Sequence, residues 1–295
     1  MKIGNIDVIK GRIGNTEVSK MYLGDVEVFS AEKDYTKEYL TFEIVSAGTI
    51  ATKTYGSIGS KTIQYSVNKG PWLSFSSGSA ATSVTVITNV SVGDKVRFKG
   101  TNSTYARDKS NYMCFEGGTA TFNLSGNIMS LTGGDAFVEV TSLPGDYTFC
   151  SMFKYAHCLS AENLVFPILT LREGCYRAMF SFADLTVAPK ILPATTLAQY
   201  CYWYMFEQCK FTTAPELPYT GKLPTYSYGN MFTDCPNLNY VKCLATDVTA
   251  SNATQSWLKN VSSTGTFVKN PNMSGWSRGV NGIPTNWTVI DDDSM

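Results

Sequence analysis

Apolar and polar residues alternate along five stretches between residues 33 and 142, and this alternation predicts β-strands. The stretches read YLTFEIV, KTIQYSVN, SVTVITNVSV, DKVRFKG and ATFNLSGN. Turn sequences separate them, among them Asn68-Lys69-Gly70-Pro71, Val92-Gly93-Asp94 and Gly117-Gly118. About seven short strands at roughly ten-residue spacing are typical of a sandwich or an open barrel, so we expect a β-sandwich-like domain here.

The second half of the chain has a longer period. A Met-Phe pair recurs at nearly constant intervals, at Met152-Phe153, Met179-Phe180, Met205-Phe206 and Met231-Phe232. In each copy an aromatic residue stands three positions before the Met, and a small residue stands four positions after it. The interval lies in the range of about 20–29 residues that leucine-rich repeats show.

Within the last three of these copies, small and apolar residues recur every four positions, as in Leu197, Cys201, Met205 and Cys209. This spacing predicts an amphipathic helix of about three to four turns. The intervening stretches LTVAPKILP and FTTAPELP are short and bounded by proline, and each predicts one strand. Units of one strand and one helix, stacked on their neighbours, predict a curved solenoid.

The stretch QYCYWYMF holds more large rings than one side of a helix can bury. We therefore expect some of these rings at the surface and take Tyr200, Trp203, Tyr204 and Tyr226 as candidate surface-binding residues. Exposed rings stack on sugar faces or pack in protein interfaces. The alternative is an aromatic surface that binds nothing. The Met, Phe and Cys positions of the repeats are interpreted as core.

The N-terminal residues repeat one short motif every ten positions. Ile-Gly-Asn or Leu-Gly-Asp is followed each time by an acidic residue and Val. A Gly-Asn or Gly-Asp pair between apolar residues predicts a two-residue β-hairpin turn. A few short hairpins bury too little apolar surface to stand alone, so we interpret residues 1–32 as a docking segment. Its partner-binding residues are predicted to be Ile3, Gly4, Val8, Ile13, Gly14, Val18, Leu23, Gly24 and Val28.

Composition excludes several classes of protein. The formal charge is zero, with 24 basic and 24 acidic residues, so nucleic acid is not an expected partner. No apolar run approaches the ~20 residues of a membrane span, and no membrane insertion is expected. The N-terminus has no continuous apolar core of a signal peptide, so we expect no export by the usual route.

The eight cysteines follow the repeat, and no Cys-x-x-Cys pair occurs. With one histidine in the chain, His157, a zinc site is not expected, and the cysteines are interpreted as small apolar core residues. We expect no cofactor and no metal.

Little in the sequence indicates catalysis. The stretch YGSIGSKT resembles a phosphate loop, but Ser60 precedes Lys61 where glycine is required and a strand pattern follows. Asp291, Asp292 and Asp293 are interpreted as a solvated tail. We expect no enzyme activity, and the alternative left open is a pair of carboxylates for glycoside cleavage.

The repeats CYWYMFEQCKFTTAPELP and CYRAMFSFADLTVAPKILPATTLAQ resemble the BspA-like leucine-rich repeats of gut Bacteroidales and their phages. The ending WLKNVSSTGTFVKNPNMSGWSRGVNGIPTNWTVID is similar to the C-terminal cap of such arrays. TIQYSVNKGPWLSF, GDKVRFKG and FNLSGNIMSL resemble the β-rich segment that precedes them. The chain departs from the family in having only about four copies and in Ser227, where cysteine is usual.

The predicted fold class is therefore α+β, in four parts. They are a triple-hairpin anchor (1–32), a β-sandwich-like domain (33–142), about four leucine-rich repeats forming a BspA-like solenoid (143–247), and a C-terminal cap with an acidic tail (248–295).

The opening IGNTEVSKMYLGDVEVF resembles N-terminal segments of virion proteins from Bacteroides phages, including crAss-like ones. The resemblance implies a structural virion protein, a head or tail fibre or decoration protein. Its expected partners are capsid or other virion proteins through residues 1–32 and a host-surface glycan or protein through the repeats. The analogy to fibres implies a homotrimer located in the virion. The alternatives are a bacterial cell-surface adhesin or polysaccharide-binding protein and a glycan depolymerase on a tail spike.

Overall fold

The computed structural model describes residues 33–78 and 83–294 and, before residue 33, the backbone of six short strands. The chain divides into two compact units, Met1–Tyr35 and Thr36–Met295.

The first unit contains three antiparallel hairpins, as the sequence predicts. The strands are β1 (Lys2–Ile3), β2 (Ile6–Asp7), β3 (Gly11–Ile13), β4 (Thr16–Val18), β5 (Lys20–Leu23) and β6 (Val26–Ser30). In the three pairs of strands, Ile3 opposes Ile6, Ile13 opposes Thr16 and Leu23 opposes Val26. Of the predicted partner-binding residues, Ile3, Ile13, Val18, Leu23 and Val28 lie on these strands, whereas Gly4, Val8, Gly14 and Gly24 lie outside the described residues.

The larger unit begins with a short 3₁₀ helix (Tyr35–Lys37) and a series of nine strands in its described part. They are β7 (Leu40–Ser46), β8 (Gly48–Tyr55), β9 (Thr62–Val67), β10 (Leu73–Ser76), β11 (Ser83–Val90), β12 (Lys95–Gly100), β13 (Ala106–Asp108), β14 (Asn111–Cys114) and β15 (Thr121–Asn127). The five strands predicted from alternation correspond to β7, β9, β11, β12 and β15, so those predictions are confirmed. Alternation identified these strands because one side of each packs on the core.

The nine strands and a tenth, β16 (Cys158–Val165), form two sheets that share one core. The first has the order β10-β9-β12-β7-β15-β16 and the second the order β11-β8-β14-β13. The Phe42 ring of β7 stacks on Phe122 of β15 at 4.0 Å and meets Phe115, next to β14, at 5.0 Å. The aromatic layer between the sheets therefore joins them.

The six-stranded sheet continues into the repeats. Strand β16 comes from the first repeat and pairs in parallel with β15, with Phe122 opposite Cys158. In the chain, the segment that connects β15 to β16 contains the helix α1 (Ser130–Gly133) and a 3₁₀ helix (Gly134–Glu139). The β-rich character of the region is confirmed, but its description as a sandwich with an appended solenoid is wrong, because one sheet draws strands from both parts.

The prediction of helices in the repeats is also wrong. The predicted α+β class and the predicted leucine-rich solenoid of strand-and-helix units depended on those helices and are wrong for the same reason. Within the described residues the α-helix is limited to the four residues of α1. The helices predicted from the four-residue spacing, within residues 171–183, 197–209 and 223–235, are instead the turn segments 174–182, 200–208 and 226–234, and two further turn segments of the same kind occupy residues 147–155 and 252–260. Each segment has a residue with φ between +50° and +61° at its first, fifth and ninth positions. Together we call these segments the turn ladder.

The hydrogen bonds of the turn ladder explain this geometry. Alternate amides close turns within a segment, as when Cys150 N–H donates to the Tyr147 carbonyl at 3.0 Å. The amides between them donate to the next segment, as when Phe149 N–H donates to the Cys175 carbonyl at 2.9 Å. A helix would send every amide to the residue four positions before it, and that pattern is not used here.

The proline-bounded stretches between the turn segments contain isolated parallel bridges. Ser160 pairs with Val187, Ile191 with Glu216, and Thr213 with Tyr240. The prediction of a full strand in LTVAPKILP and FTTAPELP is therefore wrong, although each stretch does lie parallel to its counterpart in the next copy. Proline interrupts the ladder of donors that a longer strand needs.

The core of the repeats consists of two aromatic columns. Phe149, Tyr176, Tyr202 and Tyr228 follow one another at ring distances of 6.0 Å, and Phe153, Phe180, Phe206 and Phe232 at 5.4–5.7 Å. Both columns end on Trp257, which is fully buried and stacks on Trp276 at 5.2 Å. All eight cysteines are free and buried, so their interpretation as core residues is confirmed.

The chain ends in a three-stranded parallel sheet, β17 (Tyr240–Cys243), β18 (Thr266–Lys269) and β19 (Thr288–Asp291). The prediction of a simply solvated acidic tail is wrong. Asp291 ends β19 and pairs with Lys269, and Asp292 is 9% exposed and lies 3.2 Å from the Lys242 ammonium. Among the described residues, no helix has the length and apolar character needed to cross a membrane.

Candidate functional site

The four candidate surface-binding aromatics lie together on two neighbouring turn segments. Tyr200 and Tyr204 occupy the first and fifth positions of one segment, and Tyr226 is the first position of the next. All three have φ between +54° and +59°, and their side chains, like that of Trp203, are half-buried. The expectation that some tyrosine and tryptophan rings of QYCYWYMF are partly exposed is confirmed, since only Tyr202 among them is buried, at 2% exposure.

Trp203 is at the centre of these four rings. Its ring lies 5.1 Å from Tyr200, 5.2 Å from Tyr204 and 5.1 Å from Tyr226. Tyr200 and Tyr226 stack on each other at 5.3 Å across the two segments. We call Tyr200, Trp203, Tyr204 and Tyr226 the aromatic cluster.

The repeat provides the space for Trp203. Gly229 occupies the equivalent position of the next copy, and a Cβ there would lie 3.3 Å from the indole Cδ1. On the other side, the guanidinium of Arg177 in the preceding segment lies 4.6 Å from the indole centre. A cation over an indole face is attracted by the ring quadrupole and is held in a defined orientation.

A cavity of about 560 Å³ opens beside the aromatic cluster. It is bounded on one side by the turn ladder and on the other by the loop between β13 and β14. The lining residues are Asp108, Lys109, Ser110, Asn111, Tyr147, Arg177, Tyr200 and Trp203. Two of the four predicted surface-binding residues thus line the cavity, and Tyr204 and Tyr226 support them from behind.

The wall formed by Tyr147 depends on a glycine. Gly174 has φ +56°, and a Cβ there would lie 2.4 Å from Tyr147 Cε1, so the tyrosine ring covers the glycine. The Tyr147 hydroxyl donates to Glu173 at 2.8 Å, and the Gln199 amide donates to the same carboxylate at 2.6 Å. Burial and the hydrogen bond to Glu173 raise the pKa of the Tyr147 phenol, which stays neutral at physiological pH.

The opposite wall is a rigid loop. The Asp108 carboxylate accepts from the amides of Ser110 at 2.8 Å and Asn111 at 3.1 Å, and from the Asn111 side chain at 2.8 and 2.9 Å. The Asn111 side-chain carbonyl accepts from the amide of Ser57 at 2.7 Å. These hydrogen bonds, that of the Asn111 side chain first, lower the pKa of Asp108 and occupy its oxygens.

The cations of the lining are not matched by carboxylates. Among the described residues, neither exposed Lys109 nor half-buried Arg177 has a carboxylate within salt-bridge distance. The remaining charge in the lining is Asp108, whose oxygens are already engaged. The cavity therefore combines aromatic faces with two available positive charges.

Sequence reasoning missed six of the eight residues that line the cavity. Arg177 and Tyr147 lie in other repeats than the aromatic cluster, and the loop 108–111 precedes the repeats altogether. The signal for Arg177 was present, since it and Trp203 occupy the same position in successive copies. No comparable signal marks the loop.

Other titratable groups do not form a reaction centre with the cavity. Glu207 accepts from the Ser181 hydroxyl at 2.8 Å, and burial raises the pKa of its carboxyl, but it does not line the cavity. Within residues 33–78 and 83–294, no three His, Cys, Asp or Glu side chains are grouped as metal ligands would be.

Comparison with protein-family models, curated proteins and solved structures finds no match to this chain.

Proposed function

We propose that the protein is a structural adhesion protein of a Bacteroidales phage particle. Residues 1–32 attach it to capsid or other virion proteins, and the unit Thr36–Met295 contacts a glycan or protein of the host surface. The observation that carries the proposal is the N-terminal unit of three antiparallel hairpins, distinct from the larger unit. The resemblance of IGNTEVSKMYLGDVEVF to phage virion segments supports it.

The physics of small hairpins favours attachment. The N-terminal strands are short, and two-stranded ribbons of such strands are marginal in water and gain stability when a third surface covers them. A virion surface or two further copies of the chain would provide that cover. A homotrimer, by analogy with other fibres, belongs to the same proposal.

Adhesion by such a protein requires no catalysis. Weak sites on many copies gain about 10²–10⁴-fold in avidity when one particle carries them all. The aromatic cluster supplies the surface expected for this contact, because half-buried rings offer apolar faces without large conformational entropy loss.

The test is mass spectrometry of density-gradient fractions from a lysed culture that produces the chain. We expect the chain in DNA-filled particles at tens to hundreds of copies, and a variant lacking residues 1–32 should be missing from them. The matched control Trp203→Ala should enter particles normally, since Trp203 lies in the larger unit. Recovery of the chain in the outer-membrane fraction instead would contradict the proposal and favour a bacterial cell-surface adhesin.

A further inference from the structure

We propose that the cavity between the turn ladder and the loop 108–111 binds an acidic saccharide, a pyranose that carries a carboxylate. The inference rests on the proposed function, because it names the class of surface ligand that such an adhesion protein would contact. The inference goes beyond the proposed function because it assigns a binding site on the chain and a negative charge to the ligand.

The dimensions of the cavity suit a small ligand. Its volume of about 560 Å³ lies within the range of roughly 300–1,000 Å³ found for small-molecule sites. Its walls are held by hydrogen bonds within the chain: Asp108 and Asn111 close the loop, and Glu173 accepts from the Tyr147 hydroxyl. A preorganised site loses little entropy on binding.

The aromatic lining suits a sugar ring. Tyr200 and Trp203 line the cavity with half-buried rings that Tyr226 supports from behind. The apolar C–H face of a pyranose packs on such rings, while its hydroxyls need polar partners at the edges. Ser110 provides a side-chain hydroxyl on the facing wall.

The charges select an acidic sugar. The chain as a whole is neutral, yet the cavity has Lys109 and Arg177 against one carboxylate with engaged oxygens. A guanidinium binds a carboxylate through two parallel N–H donors, and stacking on Trp203 orients that of Arg177 in advance. A carboxylate on the ligand would therefore pair with the Arg177 guanidinium, whereas a neutral sugar has no group that forms this pair.

The loop amides disfavour a phosphate ligand. Phosphate sites in loops are commonly formed by several free backbone N–H groups that converge on the anion. Here the amides of Ser110 and Asn111 already donate to Asp108. The anionic group is thus expected to bind through the side chains of Arg177 and Lys109.

The experiment is isothermal titration of the full chain with oligosaccharides of four polymers: polygalacturonate, alginate, hyaluronan and polysialic acid. Each probe is paired with its carboxyl-reduced form, in which every carboxylate is a primary alcohol. We expect at least one acidic probe to bind, at least tenfold weaker binding of its reduced form, and no competition by inorganic phosphate at equal concentration.

Three variants locate the site. Arg177→Gln and Lys109→Gln should each weaken binding, the former by tenfold or more, and Trp203→Ala should abolish it. The matched control is Arg172→Gln, which removes an exposed cation of the same repeat that pairs with Asp146 at 3.1 Å and does not line the cavity. Thermal unfolding of each variant checks that it is folded.

Several outcomes would overturn the inference: binding to none of the four acidic probes, equal binding of a probe and its reduced form, displacement by phosphate, or equal losses for Arg172→Gln and Arg177→Gln. None of them would affect the recovery of the chain in virus particles, so the inference and the proposed function fail separately.

Discussion

Substitution of Gln208 by glycine tests the geometry of the turn ladder directly. Gln208 is exposed and has φ +60°, and its amide donates to the Thr233 carbonyl at 2.9 Å. A glycine keeps that backbone hydrogen bond and removes the Cβ that makes the left-handed conformation costly. If this stretch were the helix that the four-residue spacing predicts, the same change would weaken it instead.

The expected effect follows from two opposing contributions. A side chain in the left-handed region costs about 1–2 kcal/mol, whereas a glycine costs about 0.5–1 kcal/mol in additional chain entropy. The net prediction for Gln208→Gly is a gain of ~0.5–1 kcal/mol in the free energy of unfolding. In a helix interior glycine is about 0.8–1.0 kcal/mol less favourable than alanine, so Gln208→Gly would destabilise a helix.

The assay is denaturant unfolding of the full chain followed by tryptophan fluorescence, since Trp257 is buried at the end of both aromatic columns. The matched control is Lys259→Gly, an exposed position of the turn ladder that is not left-handed, where glycine should destabilise. If both variants lower the midpoint by similar amounts, the turn geometry is wrong.

Three further predictions follow from the site and the core. Gly174→Ala should destabilise the chain by about 1–3 kcal/mol and weaken ligand binding, because the added Cβ would lie 2.4 Å from the Tyr147 ring. The control is Gly279→Ala, which is also at positive φ but has open space around it, and it should cost less in the same unfolding assay. Burial raises the pKa of Glu207, so the folded state binds its proton more readily than the unfolded state does. The contribution of the Glu207 carboxyl to the free energy of unfolding is therefore fully present below the pKa that it has in the unfolded chain. That contribution is lost as the pH rises through the pKa that it has in the folded chain. Glu207→Gln should raise the melting temperature at pH 8, and the gain should shrink toward pH 4, whereas exposed Glu162→Gln should show neither effect. The eight cysteines are buried, so a thiol reagent should leave them unmodified in the native chain and label all eight in denaturant; rapid native labelling would contradict the packing of the repeats.

Much of the β-sheet region could be predicted, because alternation reports directly on which side of a strand is buried. Strands β8, β10, β13 and β14 were not among the predicted stretches, and the last three have only three or four residues each, too few to show alternation. The repeat period was also correct, since the Met-Phe pairs mark equivalent core positions in successive copies.

The turn ladder could not be recognised from apolar spacing alone. Its true period is four residues with two adjacent buried positions, as in Met205 and Phe206, and over one segment this period is hard to separate from that of a helix. A compositional signal was present in Asn230 and Asp234, and again in Asn252 and Asn260, since Asn and Asp tolerate left-handed φ. Tyrosine, phenylalanine and glutamine at the same positions of other segments hide it.

The aromatic half of the site could be predicted, because too many large rings occur in one short stretch. The wall formed by the loop 108–111 could not, because this loop reaches the turn ladder only through the packing of β13 and β14. Contacts between residues so distant in sequence leave no local pattern.

Under the proposed adhesion function and the proposed ligand site, the position of the cavity along the chain has a mechanical consequence. All its lining residues fall between Asp108 and Trp203, beside the two sheets and the first three turn segments. When a bound ligand pulls against the start of the larger unit, the tension runs through the sheets and these segments. The later turn segments and β17–β19 lie outside this load path, so shear flow on an attached particle would leave them unstretched while they continue to cover the end of the aromatic columns.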